Sequence, residues 1–284
     1  MLCVHDKPSL QDVITRWHDA GETVAFVPTM GNLHEGHLRL VDEAKLQADH
    51  CVVSIFVNPT QFGPGEDYDR YPRTEQQDRD KLAERGVDLI YLPDVKDVYP
   101  DGLAASPDIH APVELNEILC GEARPGHFDG VASVVRRLLN AVEPDIAVFG
   151  NKDYQQLQVI RWLVAEYGLN VKIIGVPTAR DEDGLALSSR NQYLSVDERK
   201  QATELYTRLS EIQLALEQGE NDFASLSQQA REALESTGWV VDYVTILGTD
   251  LKPAERKNHD FVVLAAARLG ATRLIDNIEC SIGH

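Results

Sequence analysis

The sequence predicts an α/β protein: a doubly wound parallel sheet followed by a smaller C-terminal α+β unit. Three observations lead there. Short, continuous apolar runs alternate with helix-period segments over the first two-thirds of the chain, as in parallel strands covered on both faces. The pattern then changes to helices followed by strands, which marks a separate unit. The chain has 284 residues, 43% of them hydrophobic, enough for one large domain or two smaller ones.

The first buried strand is "TVAFVPT" (23–29), and a helix from about 36 to 48 follows it. "CVVSIFVN" (51–58), dense in β-branched residues, is the second strand. "TEQQDRDKLAERG" (74–86) reads as a polar-faced helix stopped by a glycine, and "VDLIYLP" (87–93) as a third strand. A helix in "VASVVRRLLNAV" (131–142) leads to the strand "DIAVFG" (145–150). The helix "YQQLQVIRWLVAEYG" (154–168) then leads to the strand "VKIIGVP" (171–177). Ser195 and Glu198 have the spacing of a capping box, so 195–219 is predicted as one long helix, with a second over 222–236. "WVVDYVTILG", "DFVVLAAARLG" and "TRLIDNIE" close the chain as strands. The boundary falls near 176–186 and divides the chain into 1–178 and 179–284.

The formal net charge of −19 argues against a general nucleic-acid binder, and leaves room for a local basic pocket for small anions. No segment approaches the roughly 20 apolar residues of a membrane span, and "MLCVHDKPSL" lacks the apolar core of a signal peptide. A cytoplasmic protein with no membrane partner is expected. Cys3, Cys51, Cys120 and Cys280 show no C-x-x-C spacing and read as reduced thiols, mostly buried.

The most informative stretch is "VPTMGNLHEGHLRLV" (27–41): a strand, a turn with Gly31 and Gly36, and a helix start bearing His34 and His37. Free N–H groups and the positive end of the helix dipole suit such a place to phosphate. Histidines at i and i+3 point along one face and can donate to phosphate oxygens. Either histidine alone is more simply an incidental polar residue; the pair after a strand favours function. The stretch has neither the G-x-G-x-x-G nor the G-x-x-x-x-G-K-[ST] pattern, and H-E-G-H is not the H-E-x-x-H of a zinc protease.

"HEGH" resembles the H-x-G-H signature of the nucleotidyltransferase superfamily, related to the class I aminoacyl-tRNA synthetases. The longer "PTMGNLHEGHLRLV" is similar to one family within it, the pantoate–β-alanine ligases. "VSIFVNPTQFGPGEDYDRYPRT" (53–74), "RPGHFDGVASVV" (124–135), "FGNKDYQQL" (149–157) and "GLALSSRNQYLS" (184–195) resemble that family's motifs in the same order. The resemblance covers about 20–195 in detail.

It implies a Rossmann-like first domain of nucleotidyltransferase type binding ATP and pantoate, with the C-terminal domain as a lid. The implied reaction joins pantoate to β-alanine through a pantoyl adenylate, releasing pyrophosphate and AMP. His34, His37, Lys152 and Arg190 would be catalytic. ATP would be bound by Met30, Gly31, Asn32, Leu33, His34, Glu35, Gly36 and His37, by Gly150, Asn151, Lys152 and Asp153, and by Ala179, Leu187, Ser188, Ser189 and Arg190. Asp153 is placed to hold the ribose hydroxyls. Gln61 and Gln156 would bind pantoate with Asn58 nearby, while Gln155 faces away. Phe56, Phe62, Val134 and Val135 are candidates for its apolar wall, or for ordinary core.

Magnesium is expected with ATP. Asp78 is the candidate protein ligand, or lies on a solvated helix face; Gln77 and Lys81 depart from an Asp and a Gln of some members. His127 lies near two glycines in a turn facing substrate, its role open. The family is typically dimeric, so a homodimer is expected. A nucleotidyltransferase that leaves the nucleotide on its product is the nearest rival, and a non-catalytic ATP-binding module another.

Overall fold

The computed structural model describes residues 1–63, 65, 66, 68–103 and 106–282; Pro64 and Asp67 of the motif at 53–74 lie outside them. The chain separates into two compact units, one of Met1–Asn151 and Gln156–Pro177, the other of Lys152–Gln155 and Thr178–His284.

The first unit carries β1 (Leu2–Val4), α1 (Lys7–Asp19), β2 (Val24–Thr29), α2 (Glu35–Gln47), β3 (His50–Ile55), α3 (Glu75–Glu84) and β4 (Leu89–Tyr91). Three short helices follow, α4 (Val95–Val98), α5 (Val113–Asn116) and α6 (Leu119–Ala123), and then α7 (His127–Val142), β5 (Ile146–Gly150), α8 (Tyr154–Glu166), whose first two residues fall in the second unit, and β6 (Lys172–Val176). The six strands are parallel in the order β1-β4-β3-β2-β5-β6. Central strands in such a sheet meet helices on both faces, which is why β2 and β3 are almost uniformly buried. Leu38, Val41 and Ala44 of α2 close over Ala25, Val27, Cys51 and Val53 on one face.

After β2 the chain winds outward through β3 and β4, while β5 returns to the other flank of β2. The sheet order therefore reverses between β2 and β5. Ligands of open parallel sheets bind beyond the strand ends at such a reversal. The histidine turn leaves β2 there, and Gly150 and Asn151 end and follow β5.

The second unit holds α9 (Val196–Gln201), α10 (Thr203–Glu217), α11 (Phe223–Ser236), and an antiparallel sheet of β7 (Val240–Gly248), β8 (Asp260–Leu269) and β9 (Thr272–Ser281) in that order. Leu205, Leu209, Ile212 and Leu216 recur at helical spacing on α10 and pack on Phe261, Val263, Ala265 and Ala267, alternate residues of β8.

Several elements differ from the sequence expectation. β1 is three residues long and shows no alternation to read; α1, capped by Asp6 through the Ser9 amide at 2.8 Å, also lies outside the sequence expectation. The strand expected over 51–58 ends at Ile55, because Asn58 caps a short 3₁₀ turn over Pro59–Gln61. The helix expected over 195–219 is interrupted at Ala202. There the Thr203 hydroxyl donates to the Lys200 carbonyl at 2.9 Å and competes with the helical ladder. The Ser195–Glu198 capping box is present.

Candidate functional site

In the first unit the turn after β2 is wound tightly. Gly31 (φ 77°) and Asn32 (φ 50°) are both left-handed, a region open to glycine and tolerated by asparagine. A side chain at Gly31 would meet Ile55 Cγ2 at 2.9 Å and Asp78 Oδ2 at 3.1 Å. Helix α3 holds the turn from below. Asp78, 0% exposed, accepts the Asn32 amide on Oδ2 at 2.9 Å and the Leu33 amide on Oδ1 at 2.7 Å. Lys81, one turn later, donates to the Leu33 carbonyl at 2.6 Å. Two side chains at i and i+3 thus grip both sides of Leu33.

His34 is the N-cap of α2. Its Nδ1 accepts the Gly36 amide at 3.1 Å, and His37 Nδ1 accepts the His34 amide at 3.3 Å. An imidazole nitrogen that accepts from an N–H carries no proton, so both rings are Nε2–H tautomers. The ring centroids lie 4.1 Å apart. The sequence expectation was of free N–H groups at this helix start. The amides of His34 and Gly36 are instead taken by the two rings, that of His37 by the His34 carbonyl at 2.9 Å, and those of Asn32 and Leu33 by Asp78. The turn therefore presents imidazole N–H donors, with the amides of five of its residues already engaged.

A second cluster surrounds Gln61. Its Nε2 reaches Met30 Sδ at 3.1 Å, tying it to the histidine turn. Asn58, expected beside the substrate, is 1% exposed, and its amide is spent. Its Nδ2 donates to Gln61 Oε1 at 3.1 Å and the Gly130 carbonyl at 3.2 Å, while Oδ1 accepts from Tyr99 at 2.7 Å and Thr60 Oγ1 at 3.0 Å. Asn58 acts through Gln61, from behind it.

The "RPGHFDG" motif has the same target. His127 Nδ1 donates to the Gln61 carbonyl at 2.8 Å, so its Nε2 is the acceptor for Arg124 Nη1 at 2.9 Å. With both nitrogens engaged, His127 is a brace rather than a general base. Arg124 also holds Glu66 through two bonds, of 2.7 and 2.6 Å. Burial pushes the Glu66 carboxyl up, but the Arg124 hydrogen bond and charge outweigh it and hold the group below its ordinary value. A side chain at Gly130 would run into the Thr60 carbonyl, so α7 can lie against the 59–61 turn only with glycine there. Phe56, Val134 and Val135 are buried core, and Phe62 packs edge-on to Tyr68 and Tyr71. Gln156 is half-buried and its neighbour Gln155 buried.

In the second unit, Arg180 pairs with Ala186, and the Leu187 amide donates to the Ala179 carbonyl at 2.9 Å, closing a hairpin. The hairpin delivers Ser188, which caps the 3₁₀ turn Ser189–Tyr193 through the Arg190 amide at 3.3 Å. Lys152 and Asp153 belong to this unit too. The Lys152 carbonyl accepts from Asn277 Nδ2 at 2.8 Å, and Tyr154 donates to the Thr249 carbonyl at 2.9 Å.

A family model described as pantoate-beta-alanine ligase matches residues 2–279. The chain belongs to the pantoate–β-alanine ligase family. Among its relatives is a pantothenate synthetase of Neisseria meningitidis serogroup A, 55% identical over 267 residues, which are 94% of this chain and 95% of the relative. One from Pseudomonas fluorescens is 50% identical over 274 residues, 96% of each chain. Of solved structures, the Thermus thermophilus pantothenate synthetase superposes with a TM-score of 0.91 at 44% identity, over 98% of this chain and 99% of that one. A Francisella tularensis pantoate-beta-alanine ligase, complexed with beta-gamma ATP and beta-alanine, gives 0.82 at 36% identity, over 98% and 97%.

Within this family's frame, Asp78 departs from the sequence expectation. Both its oxygens lie on main-chain amides of the histidine turn, and a third bond comes from Thr74 Oγ1 at 3.1 Å. Among the described residues no group of three or more His, Cys, Asp or Glu is arranged to hold a metal. Asp78 therefore faces inward and holds the histidine turn, rather than lying on a solvated helix face. Sequence reasoning also missed Lys81 and Arg124. The signal for Lys81 is its i, i+3 spacing from Asp78 in "DRDK".

Proposed function

We propose that the protein condenses pantoate with β-alanine at the expense of ATP in two steps. A pantoate carboxylate oxygen attacks the α-phosphorus, and the bond to the bridging oxygen breaks as pyrophosphate leaves. The β-alanine amine then attacks the acyl carbon of the pantoyl adenylate, the bond to AMP breaks, and the amine gives up its proton. The observation that carries this reading is the Nε2–H pair of His34 and His37 at the strand-order reversal of a chain matched over nearly its full length by the ligase family.

In the first step an anion approaches a triphosphate. Donors fixed before reaction stabilise the charge that develops without reorganising. His34 and His37 serve the α-phosphate, and Lys152 and Arg190 supply positive charge to the departing phosphates. Ser188, Ser189, Met30 and Glu35 complete the ATP contacts, with Gly150–Asp153, Ala179 and Leu187 on the nucleoside. Gln61 and Gln156 bind the pantoate hydroxyls and carboxylate as neutral amides, adding no charge to compete with phosphate. Magnesium would enter with ATP and neutralise phosphate charge, bound through phosphate oxygens and few protein groups; Asp78, the carboxylate proposed for it, also accepts two amides of the turn. The same reading includes a homodimer, tested by sedimentation, and a cytoplasmic location with the ATP pool. No helix among the described residues is long and apolar enough to cross a membrane.

Labelled pyrophosphate exchange tests the mechanism. Protein, ATP, magnesium and pantoate without β-alanine should exchange label into ATP, and omitting pantoate should abolish it. Adding β-alanine should yield pantothenate and AMP in equal amounts. ADP and phosphate as products would refute the adenylate and leave the paired histidines without this role. Release of a stable nucleotidylated product that ignores the amine would favour a plain nucleotidyltransferase.

A further inference from the structure

The C-terminal strand β9 carries no motif, yet two of its consecutive residues are buried and polar. Asp276 and Asn277 are each 4% exposed and pair across the ladder with Ala265 and Leu264. Asp276 receives the Arg180 guanidinium end-on, Nη1 at 2.6 Å and Nη2 at 2.9 Å. The same guanidinium donates to the Gly184 carbonyl at 3.1 Å and the Asn277 carbonyl at 3.0 Å, and lies 3.8 Å from the centroid of the Tyr206 ring. Arg180 is thus fixed in the plane of its fork and on its face.

What Arg180 anchors is the hairpin whose far strand runs through Ala186 and Leu187 into Ser188–Arg190. Asn191 Nδ2 ties back to the Ala186 carbonyl at 3.0 Å, so the segment is held on both sides of Arg190. The next residue of β9 holds the other cation-bearing segment: Asn277 Nδ2 donates to the Lys152 carbonyl at 2.8 Å. Two neighbouring residues of one strand thereby set the backbone of Lys152 and the base of the Ser188–Arg190 segment relative to each other. A buried ion pair alone is weak evidence of a need for stability, because desolvation offsets its attraction. Its neighbour in the strand is the amide that meets the Lys152 carbonyl, so one strand reaches both cation-bearing segments.

We propose that Asp276 and Asn277 are positioning residues for adenylate formation, Asn277 acting through Lys152 and Asp276 through the Arg180 hairpin. This rests on the reading of Lys152 and Arg190 given above.

A double-mutant cycle read by pyrophosphate exchange tests it. Asn277→Ala should lower the maximal exchange rate roughly 10- to 100-fold, as small misplacements of reacting groups do. The KM for pantoate should stay within about twofold, because Gln61 and its braces lie in the other unit. In a Lys152→Ala background the same change should cost less than about twofold, since the group it positions is gone. Asp276→Asn should be similarly non-additive with Arg190→Ala. An unchanged rate for Asn277→Ala, or an equal factor in both backgrounds, overturns the proposal. Should the alanine variant not fold, Asn277→Asp repeats the cycle with the same shape and no amide donor. A Lys152→Ala protein exchanging at the wild-type rate is a separate outcome: it removes Lys152 from the mechanism itself.

Discussion

Replacing Asp78 by asparagine separates a turn-holding carboxylate from a metal-holding one. The shapes are equal, but the amide offers one acceptor oxygen where the carboxylate offers two. Asp78 receives Asn32 and Thr74 on Oδ2 and Leu33 on Oδ1. Turning the amide nitrogen toward Leu33 keeps the first two bonds and sets N–H against N–H at the third. Leu33 is 2% exposed, so water does not relieve it. A hydrogen bond to a charged acceptor contributes about 1.5–3 kcal/mol, and leaving a buried N–H unmet costs on the same scale. Loss of the buried charge returns part of its desolvation. The net expectation is a destabilisation of about 2–3 kcal/mol, a large share of the roughly 5–15 kcal/mol typical of a folded domain.

The measurement is urea unfolding in EDTA, paired with a magnesium titration of turnover. In EDTA the variant should unfold at clearly lower urea. Its turnover should fall roughly 10- to 100-fold because His34 follows directly from the loosened turn, with the half-saturating magnesium concentration unmoved. The reasoning is refuted if stability in EDTA is unchanged while the magnesium requirement rises, which is the behaviour of a lost metal ligand.

His37→Ala should raise the activation free energy for turnover by about 3 kcal/mol but cost only about 1 kcal/mol of stability, for the cap it gives the His34 amide; equal turnover would remove it from the chemistry. The Glu66 carboxyl is held below its ordinary value of 4.5, so the unfolded chain binds its proton first, and the stability it adds is present above that pH and lost as pH falls through the folded value. Glu66→Gln should therefore be less stable than wild type at pH 7, with the gap narrowing below about pH 4.5 in acid unfolding; a gap independent of pH would exclude the Arg124 pair as its source. Burial pushes the Cys51 thiol up to about 12 and that of Cys280 up to about 11. Iodoacetamide at pH 8 should leave both intact in the native protein and label the half-exposed Cys3 first; rapid native labelling of Cys51 would contradict its buried place in β3.

The sheet was legible because its strands are buried on both faces, so continuous apolar runs such as "TVAFVPT" announce themselves without partners. β1 was not, since three residues at an edge carry no period, and its place beside β4 is a long-range fact. The paired histidines stand out as a candidate site because residue type and spacing both carry information. Their tautomer does not, because it depends on which amides the rings accept. The sequence offers Asp78 as metal ligand or solvated charge and gives Lys81 no role, since a polar-faced helix gives no sign that one face turns inward onto a loop some 45 residues earlier. Asp276 and Asn277 sit in a strand whose partners lie 96 and 125 residues away, a separation no local pattern encodes.

The caps on the two rings also account for why histidine occupies both positions. A serine or asparagine at the N-cap also accepts a helix amide and keeps a donor, but on a short side chain; a lysine or arginine meets an anion but has no acceptor for the amide. Histidine does both with one ring. The helix N–H donates to Nδ1, and the ring donates in turn from Nε2, so the positive end of α2 is passed outward through the imidazole instead of being used at the backbone. Hydrogen bonds in such a chain polarise one another, and a neutral ring becomes a better donor without becoming a cation. The spacing follows as well. For the His34 ring to reach the Gly36 amide while the His37 ring reaches back to the His34 amide, the second histidine must stand one turn after the cap, at i+3. Full protonation of either ring would place a proton on Nδ1 against an N–H and undo the cap. In this arrangement each ring accepts an amide at Nδ1 and keeps Nε2 as its donor.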